Sequence, residues 1–184
     1  TQTSLGRSSI EVSMTATRED EKPWKTDLAR KAAQRRQQVG HELEDVTKEA
    51  ASFEAALRQA VELMKKRFAR FSSVTVYVAD GEELAVHMAL ERSQGPERVA
   101  SSGGVLAEAA QSPNPTVFSD LAASPTWATV GLESGSAMVA PVRTDAGLWA
   151  IVEVWSDFRD AFTSQDVKLL GKVALALAKK TPAA

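Results

Sequence analysis

The residue with the clearest chemical potential is a glutamate inside a strongly apolar segment. Glu153 lies within residues 148–155, and a buried carboxylate there needs a charged or hydrogen-bonding partner, because an isolated buried charge is energetically costly. The alternation of a strand places it on one face with Trp149 and Trp155. Two partners remain open: a cationic group of a ligand, or Arg143 on the neighbouring predicted strand, which is the simpler structural pairing.

A second group of candidate residues precedes this segment in a region that reads as loop. Trp127 would supply an aromatic wall, and Asp120, Ser134 and Ser136 would supply hydrogen-bonding groups around the mouth of a pocket. Each of them also has a structural interpretation as a turn, a cap or a packed side chain. The predicted ligand-binding residues are therefore Trp127, Asp120, Ser134, Ser136, Glu153 and Trp149.

The residue types that are missing exclude several kinds of chemistry. The chain has no cysteine, so it has no disulfide, thiolate-ligated metal, catalytic thiol or thioether-linked chromophore. His41 and His87 are the two histidines, which leaves haem ligation open and makes a zinc site weak. No serine or threonine has an evident base and orienting partner. We predict no catalytic residue, no metal site and no cofactor beyond an unidentified small molecule.

Composition restricts the setting and the partners. The 184 residues are 43% hydrophobic and carry a net charge of −2, which fits one domain and gives no electrostatic reason to bind nucleic acid or an anionic membrane. The apolar stretches are far shorter than the roughly 20 residues that span a bilayer, and the N-terminus lacks a signal-peptide pattern. We expect a cytoplasmic protein with neither nucleic acid nor membrane as a partner.

The N-terminal third predicts an arm followed by a helix. Residues 1–25 are rich in Ser, Thr and charge and predict a flexible arm. Residues 26–71 contain no proline and a single glycine, Gly40, so they predict one long amphipathic helix or two collinear ones.

Apolar residues of this segment are spaced alternately four and three positions apart, which places them on one seam of a slightly underwound helix. They are Val39, Leu43, Val46, Ala50, Phe53, Leu57, Ala60 and Met64. The seam either packs on its own domain or pairs with a second chain, and we favour the second because a helix this long exceeds the face of an ordinary sheet. The predicted homodimer contacts are Val39, Leu43, Val46, Phe53, Leu57 and Met64, with Leu170 and Leu177 of the last helix.

Residues 72–184 predict a domain with an antiparallel sheet. Two hairpins, a short helix, a short extended piece and a final helix follow one another along the chain. Their predicted ranges are 74–90 and 137–155 for the hairpins, 105–111 for the short helix, 116–119 for the extended piece, and Thr163 or Ser164 to about Lys180 for the final helix. The last helix has two apolar stripes and so predicts two packing partners. The fold class is α+β, with helices from both chain ends on one face of the sheet.

Six short motifs follow one another in this part of the chain: Gly103–Leu106, Pro115–Asp120, Ser124–Trp127, Ser136–Val142, Leu148–Val154 and Ala161–Leu170. Their order and spacing resemble the GAF domain, a sensory module related to PAS domains, over about residues 50–180. The resemblance implies an antiparallel sheet of up to six strands, with terminal helices on one face and a ligand pocket on the other beneath the loops of residues 92–135.

What the resemblance implies about function is broad. Members of the family bind cyclic nucleotides, linear tetrapyrroles, haem, amino acids or small anions, and others bind nothing and act as dimerising spacers. Of the cyclic-nucleotide pattern only Phe162 and Asp166 remain here, and Asp166 has a simpler role as a helix cap. The absence of cysteine excludes covalent bilin attachment and the reduction of free methionine sulfoxide, which needs thiols.

The function expected from the sequence is a non-enzymatic GAF-like sensory or regulatory domain. It binds a small molecule and signals through a dimeric helical bundle to an effector domain or a signalling partner protein. One alternative is a structural dimerisation or scaffold module whose pocket is filled by Trp149 and Trp155. Another is a haem-based sensor that uses His87 or His41.

Overall fold

The computed structural model describes residues 23–67, 70–91, 97–102, 104–123 and 135–181. The chain divides into residues 1–34 and residues 35–184. In the first unit, the start of helix α1 (Pro23–Glu49) has mostly exposed side chains, and Asp27 forms ion pairs with Arg30 and, at 3.0 Å, with Lys31. The predicted arm lies almost wholly outside the described residues.

Six strands in the second unit form one antiparallel sheet in the order β3-β2-β1-β6-β5-β4. Both predicted hairpins are present, and the predicted extended piece is the edge strand β4. The other edge strand, β3, lies in a segment for which the sequence predicts only loop. The strands are β1 (Ser73–Asp80), β2 (Glu83–Leu90), β3 (Arg98–Ala100), β4 (Thr116–Phe118), β5 (Ser136–Thr144) and β6 (Gly147–Ser156).

The predicted helical segment is divided into two helices, so the alternative of a single long helix is wrong. Helix α1 ends at Glu49 and α2 (Phe53–Arg67) begins four residues later. Ser52 caps the second helix, because its hydroxyl accepts the N–H of Ala55 at 3.2 Å. The other helices in the described parts of the chain are α3 (Gly104–Gln111), a 3-10 turn at Leu121–Ala123, and α4 (Ser164–Ala178). Among the described helices, none is long and apolar enough to cross a membrane.

Helix α4 is fixed at both ends. At its start the Thr163 hydroxyl accepts the N–H of Asp166, and the N–H of Thr163 donates to the Asp166 carboxylate at 2.7 Å. Past its end, the ammonium of Lys180 donates to the carbonyls of Lys48 at 2.8 Å and Ala50 at 3.1 Å. These are carbonyls at the C-terminus of α1, which attract cations because the helix leaves them unpaired. The end of α4 is thereby joined to the end of α1.

One face of the sheet is covered by helices. Valines of β1 and β6 pack with the apolar faces of α1, α2 and α4 in what we call the helix-side core. Helix α4 contacts both strand β5 and the chain's own helix α2, which supplies the two packing partners that its apolar stripes predict. The largest members of this core are Leu43, Phe53, Leu57, Met64, Met138, Leu170 and Leu177, with Val74, Val76, Val152 and Val154 from the strands.

This packing corrects the predicted dimer seam. Val39, Leu43, Phe53, Leu57, Met64, Leu170 and Leu177 are all buried in the chain's own core, and Val46 is half-buried. A side chain that is buried within its own domain has no surface left for a second chain. The length argument fails because the break at residues 50–52 divides the helix. A homodimer stays a prediction, and it would need other, exposed surfaces of the helices.

On the opposite face, the described residues that pack against the sheet come from α3 and from the 3-10 turn at Leu121. The buried residues of this face form a separate, smaller cluster, which we call the loop-side core. The members are Tyr77, Leu84, Leu106, Ala109, Ala110, Leu121, Ala137, Val139, Ile151 and Trp155. The sheet therefore has two different layers, as the α+β prediction requires.

Leu57→Ala should destabilise the domain, because it removes a fully buried side chain from the helix-side core. We expect a loss of about 2–5 kcal/mol in the free energy of unfolding. The matched control is Leu175→Ala on α4, where the side chain is 68% exposed and the change should stay within about 0.5 kcal/mol. Urea denaturation measures both, and equal effects would show that the seam is not in the core.

Candidate functional site

A strip of polar side chains lies on the loop-side face at the centre of the sheet. Strands β1 and β6 are the two central strands. Along β1, the valines that face the helix-side core alternate with Ser73, Thr75 and Tyr77, and all three are buried. Opposite them on β6, Trp155 pairs with Ser73 and Glu153 pairs with Thr75. We call these five residues the polar strip.

Glu153 is the charged member of the strip, and it is 2% exposed. It pairs with Thr75 on β1 and with Val139 on β5, so its own strand, β6, is flanked by a strand on each side. The hydroxyl of Tyr77 donates to Oε2 at 3.5 Å, which is a long hydrogen bond. The other oxygen, Oε1, is buried without a hydrogen-bond partner among the described residues. One half of this carboxyl group is therefore unsatisfied.

The electrostatics of Glu153 follow from this burial. Loss of hydration disfavours the ionised form and raises the pKa of the carboxyl group to about 7, and the hydrogen bond from Tyr77 acts weakly in the opposite direction. Within the described parts of the chain, no Lys or Arg forms an ion pair with it. The group can be neutral or charged near neutral pH, so a cation that approaches it would favour the charged form.

The predicted ion pair between Glu153 and Arg143 is wrong. Arg143 is exposed near the end of β5, and its guanidinium donates to the carbonyl of Ala110 at the end of α3. Glu153 pairs instead with Val139, which is roughly 13 Å away along the strand from Arg143. The two side chains are kept apart by the register between β5 and β6, which the residue pattern of each strand alone does not determine.

Trp155 carries the second unsatisfied group of the strip. It is 9% exposed, and its indole N–H is buried with no acceptor in the described part of the chain. Gly135 lies beside it in a left-handed conformation (φ +102°). A Cβ at Gly135 would stand 3.3 Å from the indole nitrogen and 2.2 Å from the carbonyl oxygen of Ser156. Only glycine allows the backbone this close to the strand end.

The predicted placement of Trp149 beside Glu153 is also wrong. A bulge opposite Val142 and Arg143 interrupts the alternation of β6, so Trp149 turns to the helix side. There its ring meets that of Phe53, edge to face, with centroids 4.1 Å apart. Trp149 is thus part of the helix-side packing, while Trp155 remains on the loop side. The two tryptophans do not line one pocket.

Two of the predicted loop residues hold the backbone together. The hydroxyl of Ser136 donates to the carbonyl of Phe158 at 2.7 Å and accepts the N–H of Ala161 at 3.3 Å. Asp120 accepts the N–H of Ala122 at 3.1 Å and pairs with Arg159 at 3.3 Å. These are the turn and cap roles that compete with ligand binding for such residues. Trp127 and Ser134 lie outside the described residues.

The histidines lie away from the strip. His41 is exposed on α1 and His87 is exposed on β2. Within the described residues, no group of three acidic, histidine or cysteine side chains is placed to hold a metal ion. Asp166 is engaged in the cap of α4. The polar strip is therefore the arrangement on which the site rests.

Ser73, Thr75 and Tyr77 are the site residues that sequence reasoning missed. The pattern that could have found them is the alternation of β1 itself, since Ser73, Thr75 and Tyr77 each precede a valine and each carries a hydroxyl group. A strand at the centre of a sheet with one aliphatic face and one hydroxyl-bearing face indicates two different layers. What this arrangement can do chemically is to bind: it offers an acceptor, a donor and hydroxyl groups in a site shielded from water.

Comparison with known proteins adds the family. A family model for the GAF domain matches residues 50–179. No curated protein matches the chain in sequence. Solved structures do: a putative GAF sensor protein from Burkholderia vietnamiensis is 21% identical, with 80% of this chain and 94% of that chain covered and a TM-score of 0.71.

Two further structures show the range of proteins with this fold. The free methionine-R-sulfoxide reductase from Neisseria meningitidis, in complex with its substrate, is 22% identical with a TM-score of 0.70, covering 79% of this chain and 87% of that chain. The GAF domain of a phosphoenolpyruvate-protein phosphotransferase from Coxiella burnetii is 15% identical with a TM-score of 0.70, covering 80% and 93%. At these identities the likeness shows the fold alone.

Glu153→Gln should remove a pH dependence of stability. The pKa of about 7 in the folded state exceeds the usual 4.5, so the contribution of the protonated glutamate is full below pH 4.5 and is lost as the pH rises to 7. Between pH 5 and pH 8 the wild type should lose about 2–3 kcal/mol relative to Glu153→Gln. Urea denaturation at both pH values measures this, with the exposed Glu108→Gln as control. Parallel pH profiles for the wild type and Glu153→Gln would contradict the burial of an unpaired carboxyl group.

Gly135→Ala should destabilise the domain by more than about 2 kcal/mol, because the new Cβ would strain a positive φ and collide with the Ser156 carbonyl. Gly40→Ala is the matched control, since its Cβ would meet Leu169 at an ordinary 3.7 Å within a helix. That change should be neutral or stabilise by up to about 1 kcal/mol. Thermal unfolding distinguishes the two, and a tolerated Gly135→Ala would refute the close approach.

Proposed function

This chain belongs to the GAF domain family, and on that premise we propose that it is a sensory or regulatory domain that binds a small molecule on the loop-side face of its sheet. The single observation that carries the proposal is the carboxyl group of Glu153. It is buried at the centre of the sheet, and one of its oxygens has no partner among the described residues. A ligand that donates to this oxygen would complete its hydrogen bonding.

The energetic cost of Glu153 supports a role in binding. A carboxyl group whose pKa is raised from 4.5 to about 7 by burial lowers the stability of the folded chain at pH 7 and above by about 3 kcal/mol. An apolar side chain of similar volume would avoid this loss. Groups that destabilise a fold are characteristic of functional sites, where binding offsets their cost.

We propose that the domain is not an enzyme. Some solved structures of similar fold are methionine sulfoxide reductases, but this chain has no cysteine with which to carry out thiol chemistry. The hydroxyl of Ser136 is engaged by the backbone of residues 158 and 161, so it is not set beside a general base. Binding without turnover accounts for the polar strip with fewer assumptions.

The route from the site to the helices runs through β6. Glu153 and Trp155 face the proposed ligand, while Val152 and Val154, between and beside them, face the helix-side core. A ligand that shifts this strand would therefore act on the helix-side core, to which α4 contributes, and Lys180 joins the end of α4 to that of α1. In this proposal a cytoplasmic effector domain or partner protein, or a second copy of the chain, reads the position of the helices.

A scaffold role without a ligand is the second candidate. It is favoured by the loop-side core, where Leu106, Leu121, Ile151 and Trp155 are already packed together. In that case α3 and the loops would complete the layer without leaving room for a small molecule. The two candidates differ in whether a molecule is held over Glu153.

Native mass spectrometry of protein purified without denaturation tests the proposal. We expect a species heavier than the bare chain, or a rise of several degrees in the unfolding temperature with members of a metabolite panel, because a ligand at a hundredfold excess over its Kd stabilises by about 2.7 kcal/mol. Glu153→Gln should lower the fraction of the heavier, ligand-bound species or the rise in unfolding temperature, and Glu108→Gln should lower neither. A bare chain that no compound stabilises would favour the scaffold role.

A further inference from the structure

We infer that the ligand of this site has a protonated amine that binds Glu153 and a neutral hydrogen-bond acceptor that binds the indole N–H of Trp155. The inference rests on the proposed function and adds the chemical class of the ligand. It follows from two buried polar atoms of opposite character on one face of β6, both unpartnered among the residues that the structure describes.

The two atoms make complementary demands. The carboxylate oxygen Oε1 of Glu153 accepts hydrogen bonds, and the indole nitrogen of Trp155 can only donate one. The residues are two apart on the same strand, which sets their Cα atoms roughly 6–7 Å from each other. A ligand that satisfies both therefore has a donor and an acceptor separated by a short chain of a few bonds.

The donor should be a cation. An ammonium group pairs with the ionised carboxylate through a charge-assisted hydrogen bond, which offsets the loss of hydration more than a neutral donor would. The Glu153 carboxyl group is buried without a cationic partner, and such a ligand would supply one. The hydroxyls of Ser73 and Thr75, in the same strip, can accept the remaining protons of an ammonium group.

The alternatives fit the strip less well. An anionic ligand would be repelled by Glu153. Arg143 on β5, which could attract an anion, donates instead to the carbonyl of Ala110. A metal ion would need further ligands, and no group of three metal-binding side chains exists in the described segments. The acceptor for Trp155 should be neutral, since a carboxylate there would lie close to that of Glu153.

The pairing makes binding depend on pH. Among the described residues on the elements around Glu153, the titratable group that faces it is Tyr77 on β1. Strand β5 places the uncharged Val139 beside it, and Glu108 on α3 is exposed. The ammonium binds the ionised carboxylate, whose pKa in the free protein is about 7. The fraction in the ionised form rises about tenfold between pH 6 and pH 8, and the affinity should rise with it.

The probes for this test are three ω-amino amides: 3-aminopropanamide, 4-aminobutanamide and 5-aminopentanamide. Each has an amine that stays protonated over this pH range and a neutral carbonyl, and the series varies the spacing between them. Their N-acetyl forms are the matched neutral controls. NMR titration of the full chain gives the affinities at pH 6 and pH 8.

We expect at least one amino amide to bind about tenfold more tightly at pH 8 than at pH 6, and its N-acetyl form to bind at least tenfold more weakly. Glu153→Gln should abolish both differences, and Glu108→Gln should preserve them. Trp155→Phe should weaken the amino amide but not the alkylamine of the same length, which has no carbonyl.

Two results would overturn the inference. If the N-acetyl forms bind as tightly as the amines, or if Glu153→Gln keeps the pH dependence, the ligand is not a cation at this residue. If no probe binds at millimolar concentration, an amine and a carbonyl are not what the strip recognises. Native mass spectrometry tests the proposed function separately. If it detects a bound neutral molecule, the domain still binds a small molecule, but the inference of a protonated amine is wrong.

Discussion

The alternation of side chains along the two central strands is the constraint on which the rest of the structure depends. Strands β1 and β6 lie in the middle of the sheet, and the side chains on both of their faces are buried. On one face their valines complete the helix-side core. On the other face the same strands present hydroxyls, a carboxyl group and an indole. A residue change in either strand therefore acts on the core and the candidate site at once, because neighbouring residues belong to different layers.

This arrangement gives the helices a defined relation to the site. The apolar seam of α1 and α2 is used within the chain, and the break after Glu49 allows two shorter helices to contribute to one core. The contacts of Lys172 with Glu44 at 3.2 Å, and of Lys180 with the last carbonyls of α1, join α4 to the N-terminal helix. Surface ion pairs of this kind contribute little stability by themselves. Their importance here is geometric, since they join two helices that both contribute to the helix-side core.

The GAF family accounts for the fold, and the polar strip is the feature of that fold from which we argue a function. Structures of similar topology include both a sensor domain and an enzyme, so topology alone does not choose a function. The choice rests on side chains: a carboxyl group with an unsatisfied oxygen, an indole N–H without an acceptor, and no thiol in the chain. The first two are the groups on which the proposed binding of a small polar molecule rests.

The sequence by itself determined the fold class, both hairpins and the capped last helix, because these depend on local periodicity. It also identified Glu153 as a carboxyl group within an apolar strand, and the structure shows that this side chain is buried. It missed β3, where only three residues pair at an edge, and it missed the hydroxyl row of β1, whose meaning depends on what covers it.

Only the tertiary structure decided which surfaces meet. The heptad spacing is the same whether a helix packs on its own sheet or on another chain, so the burial of Leu57 and Met64 could not be read from it. The bulge in β6 moved Trp149 to the other face, and register separated Arg143 from Glu153. Local patterns fix what each segment presents, whereas partners are set by register and packing between segments that are distant in sequence.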